Sequence, residues 1–278
     1  MSAAASPSDP RLQRARGTLH IAFRDRDGTT ALADLRQEGC LKARFPRPTG
    51  WTEAVTLNTS GGIAGGDRLS STLQIAQNAR ATFSAQAAER FYRALPADPP
   101  AHVRTSITLQ AGAAAEWLPQ ESILFDRCAL DRALQIDMAA DACFLGVECL
   151  VFGRALMGET VRQARLSDTI RIRRDGRLIL HDAIRLNGDV AATLARSASG
   201  KGAGAVATLA YVAPDAASRL HTLRDAWTNT PVEAAASTWN NMLVGRIVAS
   251  DAASLRTTLV AGLNILRDGR ALPRVWNC

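Results

Sequence analysis

Alternation of apolar and polar residues at every second position is the feature that most limits how this chain can fold. Such alternation is typical of strands that bury one face and expose the other. It dominates the chain to about residue 212, and turn dipeptides such as Asp27-Gly28 and Asn187-Gly188 interrupt it. The segments that show it are 18–23, 69–75, 103–109, 134–138 and 170–172. The pattern predicts a mainly β fold. One hairpin is predicted at 170–180, because Asp175-Gly176 tolerates the positive φ angles of a type I′ turn.

Two later segments predict helices. Asp215 would cap the first and Asp251 the second. Their apolar stripes are Leu220, Leu223 and Trp227 in the first helix and Leu255, Leu259 and Leu266 in the second, which ends at Asp268-Gly269. The run 238–249 fits a buried strand as well as a helix. We therefore expect a flexible lead-in at 1–16. A single large many-stranded β domain, β-helix-like or built of layered sheets, would follow over 17–278, with two α-helices in its C-terminal third.

Charge and cysteine content narrow the functional classes. The net charge is +7, and the basic residues are spread along the chain rather than clustered. This distribution disfavours a nucleic-acid site and favours an acidic protein partner. No apolar run is long enough to span a bilayer, and the N-terminus lacks the pattern of a secretory signal. Five cysteines without a C-x-x-C pair predict reduced thiols and a cytoplasmic protein.

A glycine-rich run, NTSGGIAGGD at 58–67, is the most distinctive motif. It lacks the Lys-Ser/Thr of a phosphate-binding loop, and alternating strand residues follow it instead of a helix. We interpret it as a tight double turn in which Asp67 accepts hydrogen bonds from the turn's own amides. The four glycines, which a docking role would also use, are Gly61, Gly62, Gly65 and Gly66.

Carboxylates mark two further runs. Glu116, Glu121 and Asp126 lie among large apolar residues, where carboxylates can serve acid–base chemistry, bind a passing divalent cation or remain solvated. Arg154 lies between Glu148 and Glu159, which suggests a semi-buried ion pair. The four histidines are far apart, and no zinc-binding or hydrolase motif is present.

Five runs, in order, resemble the UreD (UreH) family of urease accessory proteins, from near Gly17 to Cys278. Two departures stand out: Cys40 replaces a usual Pro, and Glu89 and Phe91 replace a usual Lys and Val. The runs are NTSGGIAGGD at 58–67, QAAERFYR at 86–93, EWLPQESILF at 116–125, FGRALMGE at 152–159 and LPRVW at 272–276.

The resemblance implies a non-enzymatic β scaffold with two helices. It implies binding to UreF, which recruits the GTPase UreG, and docking of this assembly on the urease apoenzyme to deliver nickel. A water-filled tunnel is the route proposed for the family, with Ni²⁺ bound only transiently and no tight cofactor. The tunnel candidates here are Asp67, Glu116, Glu121, Glu148 and Glu159. The structural or docking candidates are Gly61, Gly62, Gly65, Gly66, Arg154 and Trp276.

Two alternatives to this interpretation remain open from the residues. One is an unrelated all-β protein-binding module without a metal role. The other is an enzyme that uses the carboxylates of Glu116, Glu121 and Asp126, for example on a sugar. Few aromatic residues, 5% of the chain, disfavour a carbohydrate platform.

Overall fold

The structure, a computed structural model, describes residues 13–48, 50–154, 157–228 and 230–277. Most of the predicted lead-in and the terminal Cys278 lie outside these residues, so the domain boundaries stay predictions. The strands are β1 (Arg16–Arg26), β2 (Thr29–Gly39), β3 (Leu41–Arg44), β4 (Thr52–Asn58), β5 (Arg68–Ile75), β6 (Arg80–Ala85), β7 (Glu89–Phe91), β8 (Ala101–Leu109), β9 (Ala114–Leu118), β10 (Ser122–Leu124), β11 (Ala129–Met138), β12 (Cys143–Phe152), β13 (Gln163–Arg174), β14 (Arg177–Asp189), β15 (Ala205–Val212), β16 (Glu233–Trp239) and β17 (Met242–Ala249).

Three α-helices and a final 3-10 turn complete the described fold. They are α1 (Val190–Ala195), α2 (Ala216–Thr228), α3 (Ala252–Leu266) and the turn Arg274–Asn277. The mainly β fold with two longer helices near the C-terminus is confirmed. The short α1 was not predicted. None of the described helices is long and apolar enough to cross a membrane.

The strands form two layered sheets. The seven-stranded sheet has the order β14-β13-β11-β8-β5-β1-β2, and the ten-stranded sheet runs β16-β17-β15-β12-β9-β6-β4-β3, with β10 and β7 attached through β12. From β4 to β13 the chain passes repeatedly from one sheet to the other. Each sheet therefore gains mostly parallel neighbours there, as in a β-helix.

Successive windings differ in length. Leu69 pairs with Val103, Val103 with Arg132, and Arg132 with Asp168, in unequal steps along the chain. The connecting loops vary while the strand register is kept. This explains why a wound fold shows no repeat of fixed period in its sequence.

The core has two parts. The larger part fills the space between the sheets with side chains such as Leu19, Ile107 and Phe144. The smaller part lies on the other face of the ten-stranded sheet, where α2 and α3 pack Leu223, Trp227 and their neighbours against it. Burial of these apolar surfaces is the main stabilising contribution to such a fold.

The local predictions met different outcomes. The hairpin at 170–180 is confirmed, with φ of 48° at Asp175 and 73° at Gly176. Asp251 caps α3 by accepting a hydrogen bond from the amide of Ser254. The side chain of Asp215 instead accepts hydrogen bonds from Tyr211 and Arg219, although α2 begins next to it. The ambiguous run 238–249 lies in the hairpin of β16 and β17. It is a strand because β17 has a partner on each side, β16 on one and β15 on the other.

Candidate functional site

Polar side chains interrupt the apolar faces that the two sheets turn toward each other. On β11, for example, Leu130, Leu134 and Ile136 enter the core. Arg132 lies on the same buried face of the strand. Asp168 stands likewise between Leu166 and Ile170 on β13. The interruptions are Ser71, Thr105, Arg132, Asp168 and Asp182 in the seven-stranded sheet and Trp117, Glu148, Thr208 and Arg246 in the ten-stranded sheet.

Strand register aligns these interruptions into what we call the polar row. Ser71 pairs with Thr105, and Arg132 pairs with Asp168. In the facing sheet, Glu148 pairs with Thr208, which pairs with Arg246. The groups are offset from one another by two residues, since Thr105 pairs with Leu134 and Asp168 pairs with Ile184. Single polar positions scattered along the sequence thus become neighbouring polar groups within an otherwise apolar interior.

Arg132 is the centre of the polar row. Its Nε and Nη2 donate to the two carboxylate oxygens of Asp168 at 2.8 and 2.6 Å, and its Nη1 donates to Ser122 Oγ at 2.7 Å. Nη1 also lies 2.7 Å from Glu148 Oε2, and the indole Nε1 of Trp117 donates to Glu148 Oε1 at 2.8 Å. Every charged group here is buried and paired, which is the condition for keeping charges in an interior.

Burial raises the pKa of Glu148, and the attraction of Arg132 opposes this rise without cancelling it. Burial alone would lower the pKa of Arg132, but Asp168 and Glu148 raise it above its ordinary value. The ionised form of Glu148 therefore depends on the positive charge of Arg132.

A cavity of about 300 Å³ adjoins the polar row and is lined by Arg132, Glu148, Ser71 and Thr105 among others. Glu89 lines it next to the exposed loop residues Gln86 and Ala87. Asn58 donates its amide N–H to both oxygens of Glu89, at 3.2 and 3.1 Å. Burial raises the pKa of Glu89, and the hydrogen bond from Asn58 opposes that rise.

Beyond the cavity, the polar row ends near the other edge of the sheets. Arg246 donates to Asp182 Oδ1 and to Thr208 Oγ1, each at 2.6 Å. The side chain of Asp182 is 21% exposed and that of Arg246 is 36% exposed. The polar row therefore reaches solvent at this pair, whereas Glu89 lines the cavity beside the exposed Gln86 and Ala87.

The glycine run 58–67 has the structure that its sequence predicts. Asp67 is buried, and its Oδ2 accepts the amide N–H of Ala64 at 2.7 Å while its Oδ1 accepts that of Ala15 at 2.8 Å. Gly62 has a φ of 142°, and a Cβ there would lie 2.3 Å from the ring of Tyr92. The turn's other predicted glycines are Gly61 and Gly66, with φ of 78° and 85°, and Gly65, which lies against Ala94.

Tyr92 connects this turn to the run 152–159. Its hydroxyl donates to the carbonyl oxygen of Gly61 at 2.8 Å, and its ring makes an edge contact with Phe125. The guanidinium of Arg154 lies 4.2 Å above Phe125 and pairs with Glu159 at 2.7 Å. The predicted ion pair of Arg154 thus forms with Glu159 only, because Glu148 faces the interior and binds Arg132.

The C-terminal segment binds the carboxylates of the run 116–126. Glu116 accepts hydrogen bonds from Arg267, Arg270 and Thr82. Glu121 pairs with Arg256 at 2.7 Å, and Arg256 also donates to the carbonyl oxygen of Trp276.

The five predicted tunnel carboxylates therefore occupy different environments. Glu148 lines the cavity, whereas Asp67, Glu116, Glu121 and Glu159 do not. Asp126, the third carboxylate of the enzyme alternative, accepts hydrogen bonds from the amides of Arg162 and Gln163. In the described parts of the chain, no group of three or more His, Cys, Asp or Glu is placed to hold a metal ion. The assignment of nickel contacts stays a prediction.

Of the polar row, sequence reasoning singled out only Glu148; the charged residues that it missed are Arg132, Asp168, Asp182 and Arg246. A signal was present, since each interrupts the run of apolar residues on one face of an alternating strand. This signal can be recognised in each strand separately. Which polar residues lie beside one another, however, depends on the register between strands, which the sequence does not show.

The fold and the site define a class of protein: a layered, two-sheet β protein with buried, paired charges between its sheets. Residues 15–277 match the family described as UreD urease accessory protein. The chain is 45% identical to urease accessory protein UreD of Dinoroseobacter shibae, over 96% of this chain and 94% of that protein. It is 44% identical to urease accessory protein UreD of Rhizobium rhizogenes, over 100% of each. The chain belongs to the UreD family of urease accessory proteins, which gives it a role in urease maturation. This membership replaces the alternative of an unrelated binding module.

Proposed function

We propose that this chain is a non-catalytic, cytoplasmic scaffold that works with UreF and UreG and passes nickel through its interior to the urease apoenzyme. The observation that carries the proposal is the cavity lined by Glu89, Arg132 and Glu148, together with the polar row, whose buried charges extend from there to the Asp182–Arg246 pair. A scaffold without a transport role has no need of aligned charges in its core, because apolar residues of similar volume are often as stabilising there.

The charge of the polar row suits a cation. Its carboxylates are Glu148, Asp168 and Asp182, and its guanidinium groups are those of Arg132 and Arg246. With all carboxylates ionised, one negative charge is in excess. A cation is attracted by that excess.

The ligand chemistry of the polar row suits transfer better than storage. Carboxylate, hydroxyl and amide oxygens bind nickel less tightly than thiolate clusters do, and a closed site of thiolates would retain the ion. Glu148 and Asp168 are already bound to Arg132, and Asp182 is bound to Arg246. A cation must therefore compete with a guanidinium at these carboxylates, which keeps its residence short.

The test is reconstituted urease maturation with Glu148→Gln and with Asp182→Asn, measured as nickel bound per urease active site. Both variants keep side-chain volume while they remove charge from the polar row. In Glu148→Gln the new NH2 group faces one of the two donors, Trp117 Nε1 or Arg132 Nη1, so folding is checked alongside nickel loading. We expect each to lower nickel incorporation, with Glu148→Gln lowering it more because Glu148 lies in the cavity.

The matched control is Glu116→Gln, a carboxylate of similar burial and similar arginine pairing that lies outside the cavity. Thermal unfolding and co-purification with UreF are measured for all three variants. Normal nickel loading by Glu148→Gln and Asp182→Asn proteins that are folded and bound to UreF would contradict the passage of nickel through the interior. Failure of the unmodified chain to bind UreF would separately contradict its role as a scaffold.

A further inference from the structure

The outer face of the seven-stranded sheet carries a shallow basic hollow, away from the polar row. Its volume is about 500 Å³, and its charged lining residues are Arg16, Arg68, His102 and Arg104. Arg16, on β1, pairs in register with Arg68 on β5, which pairs with His102 on β8. Neighbouring strands lie about 4.8 Å apart, so these side chains project next to one another from the same face.

The positive charge of the basic hollow is not balanced locally. Asp131 is the acid beside it, and Arg104 already holds that carboxylate at 2.5 Å, with His102 at 3.2 Å. In the described parts of the chain, Arg16 and Arg68 are exposed and form neither an ion pair nor a side-chain hydrogen bond. Asp67 adjoins Arg68 in sequence, but its oxygens accept backbone amides. Like charges side by side on a sheet destabilise it, so this arrangement gains from a negatively charged occupant.

We propose that the basic hollow docks an acidic, extended segment of a partner protein. Two residues further along the same strands, the exposed Thr18 and Ser70 pair with each other beside Arg104, and their hydroxyl groups can hydrogen-bond to such a segment. Guanidinium groups bind carboxylates through paired hydrogen bonds and lose water more readily than ammonium groups do, which suits an interface.

Two other occupants fit the basic hollow less well. A small anion such as phosphate is usually held in an enclosed site, and here the charged groups stand on an open sheet face. Single-stranded nucleic acid usually stacks its bases on aromatic rings, and no aromatic side chain is among the residues that line the hollow.

The test uses the full chain and a fluorescently labelled peptide of eight glutamates, with binding followed by fluorescence anisotropy at low salt. The key variant is Arg16→Glu/Arg68→Glu. The matched control is Arg177→Glu/Arg185→Glu, which changes the net charge equally at exposed arginines of β14 on the far edge of the same sheet. We expect about tenfold weaker binding for the key variant and less than about twofold for the control.

Equal losses in the two variants would show that net charge alone attracts the peptide and would overturn the proposal. So would displacement of the peptide by inorganic phosphate at matched ionic strength, or tighter binding of an eight-nucleotide DNA strand. Arg16→Gln/Arg68→Gln provides a second, milder variant, for which we expect a smaller loss of the same kind. These binding measurements do not involve nickel, so their outcome is independent of the passage of nickel through the interior.

Discussion

The guanidinium of Arg267 lies against the carboxylate of Glu116, with Nε 3.0 Å from Oε1 and Nη2 3.0 Å from Oε2. The two side chains are 5% and 1% exposed. This pair joins β9 to the segment that follows α3, and Arg270 and Thr82 complete the hydrogen bonding of the carboxylate. The C-terminal segment is thereby fixed to the sheet by a buried charge pair.

Glu116→Ala should therefore lower the free energy of unfolding by about 3–5 kcal/mol, because it leaves the buried guanidinium of Arg267 without its carboxylate. Urea unfolding followed by circular dichroism measures the change. The control is Glu38→Ala, which breaks the exposed pair with Arg36 and should have little effect. Equal losses in the two variants would contradict a structural role for the Glu116–Arg267 pair. Glu116→Leu/Arg267→Met should recover part of the loss, since it removes both charges.

Trp276 should contribute strongly to stability. Its indole is buried, donates to the carbonyl oxygen of Leu118 at 3.0 Å and lies 4.8 Å from the guanidinium of Arg256. Trp276→Ala should lower the free energy of unfolding by about 3–5 kcal/mol. Trp239→Ala is the matched control: Trp239 is 40% exposed, so its replacement should lower the free energy of unfolding much less. Guanidinium chloride unfolding compares the two, and a larger loss for Trp239→Ala would refute the assignment.

Gly62→Ala should destabilise the turn for two reasons. The φ of 142° is unfavourable for alanine, and the new methyl group would meet the ring of Tyr92. Together, strain and overpacking should cost at least about 3 kcal/mol. Gly28→Ala provides the comparison, since φ is 80° there and the space is open, so only the backbone cost of about 1–2 kcal/mol applies. Thermal unfolding should show a clearly larger drop in Tm for Gly62→Ala.

Asp251 should give α3 a pH-dependent contribution. The hydrogen bond from the amide of Ser254, followed by that from its hydroxyl, lowers the pKa of Asp251. The unfolded pKa is about 3.9, so the stabilisation is present above that value and is lost as pH falls through the lower folded pKa. Asp251→Ala should cost about 1 kcal/mol at pH 7. The difference in free energy of unfolding between Asp251→Ala and the unmodified chain should shrink toward pH 3. If urea unfolding gives the same difference at pH 7 and at pH 3, the pH-dependent contribution of Asp251 is contradicted.

Asp251→Asn separates capping from titration. Asparagine is also a good N-cap residue, but it carries no titrating group. The stability of this variant should therefore be nearly that of the unmodified chain at pH 7. It should lack the part of the acid dependence that Asp251 supplies.

Local patterns in the sequence were sufficient for much of the fold. Alternation predicted β5, β8 and β11, and Asp251 with the stripe from Leu255 to Leu266 predicted α3, because these signals depend on neighbours along the chain. The short α1 was missed, since six residues are too few to show a helical period. The side chain of Asp215 accepts hydrogen bonds from Tyr211 and Arg219 instead of capping α2, and these partners depend on the packed structure.

By itself, the sequence determined the β character of the chain, its glycine turn with Asp67 bonded to a turn amide, and its family. Only the tertiary structure decided which carboxylates share the interior. Glu148 and Glu159 flank Arg154 in the chain, yet Glu148 meets Arg132 across the sheets and Glu159 alone meets Arg154. The physical reason is that strand register and sheet packing, which join residues distant in sequence, set the partner of each buried charge, and the stabilising attraction exists only between groups that this packing brings together.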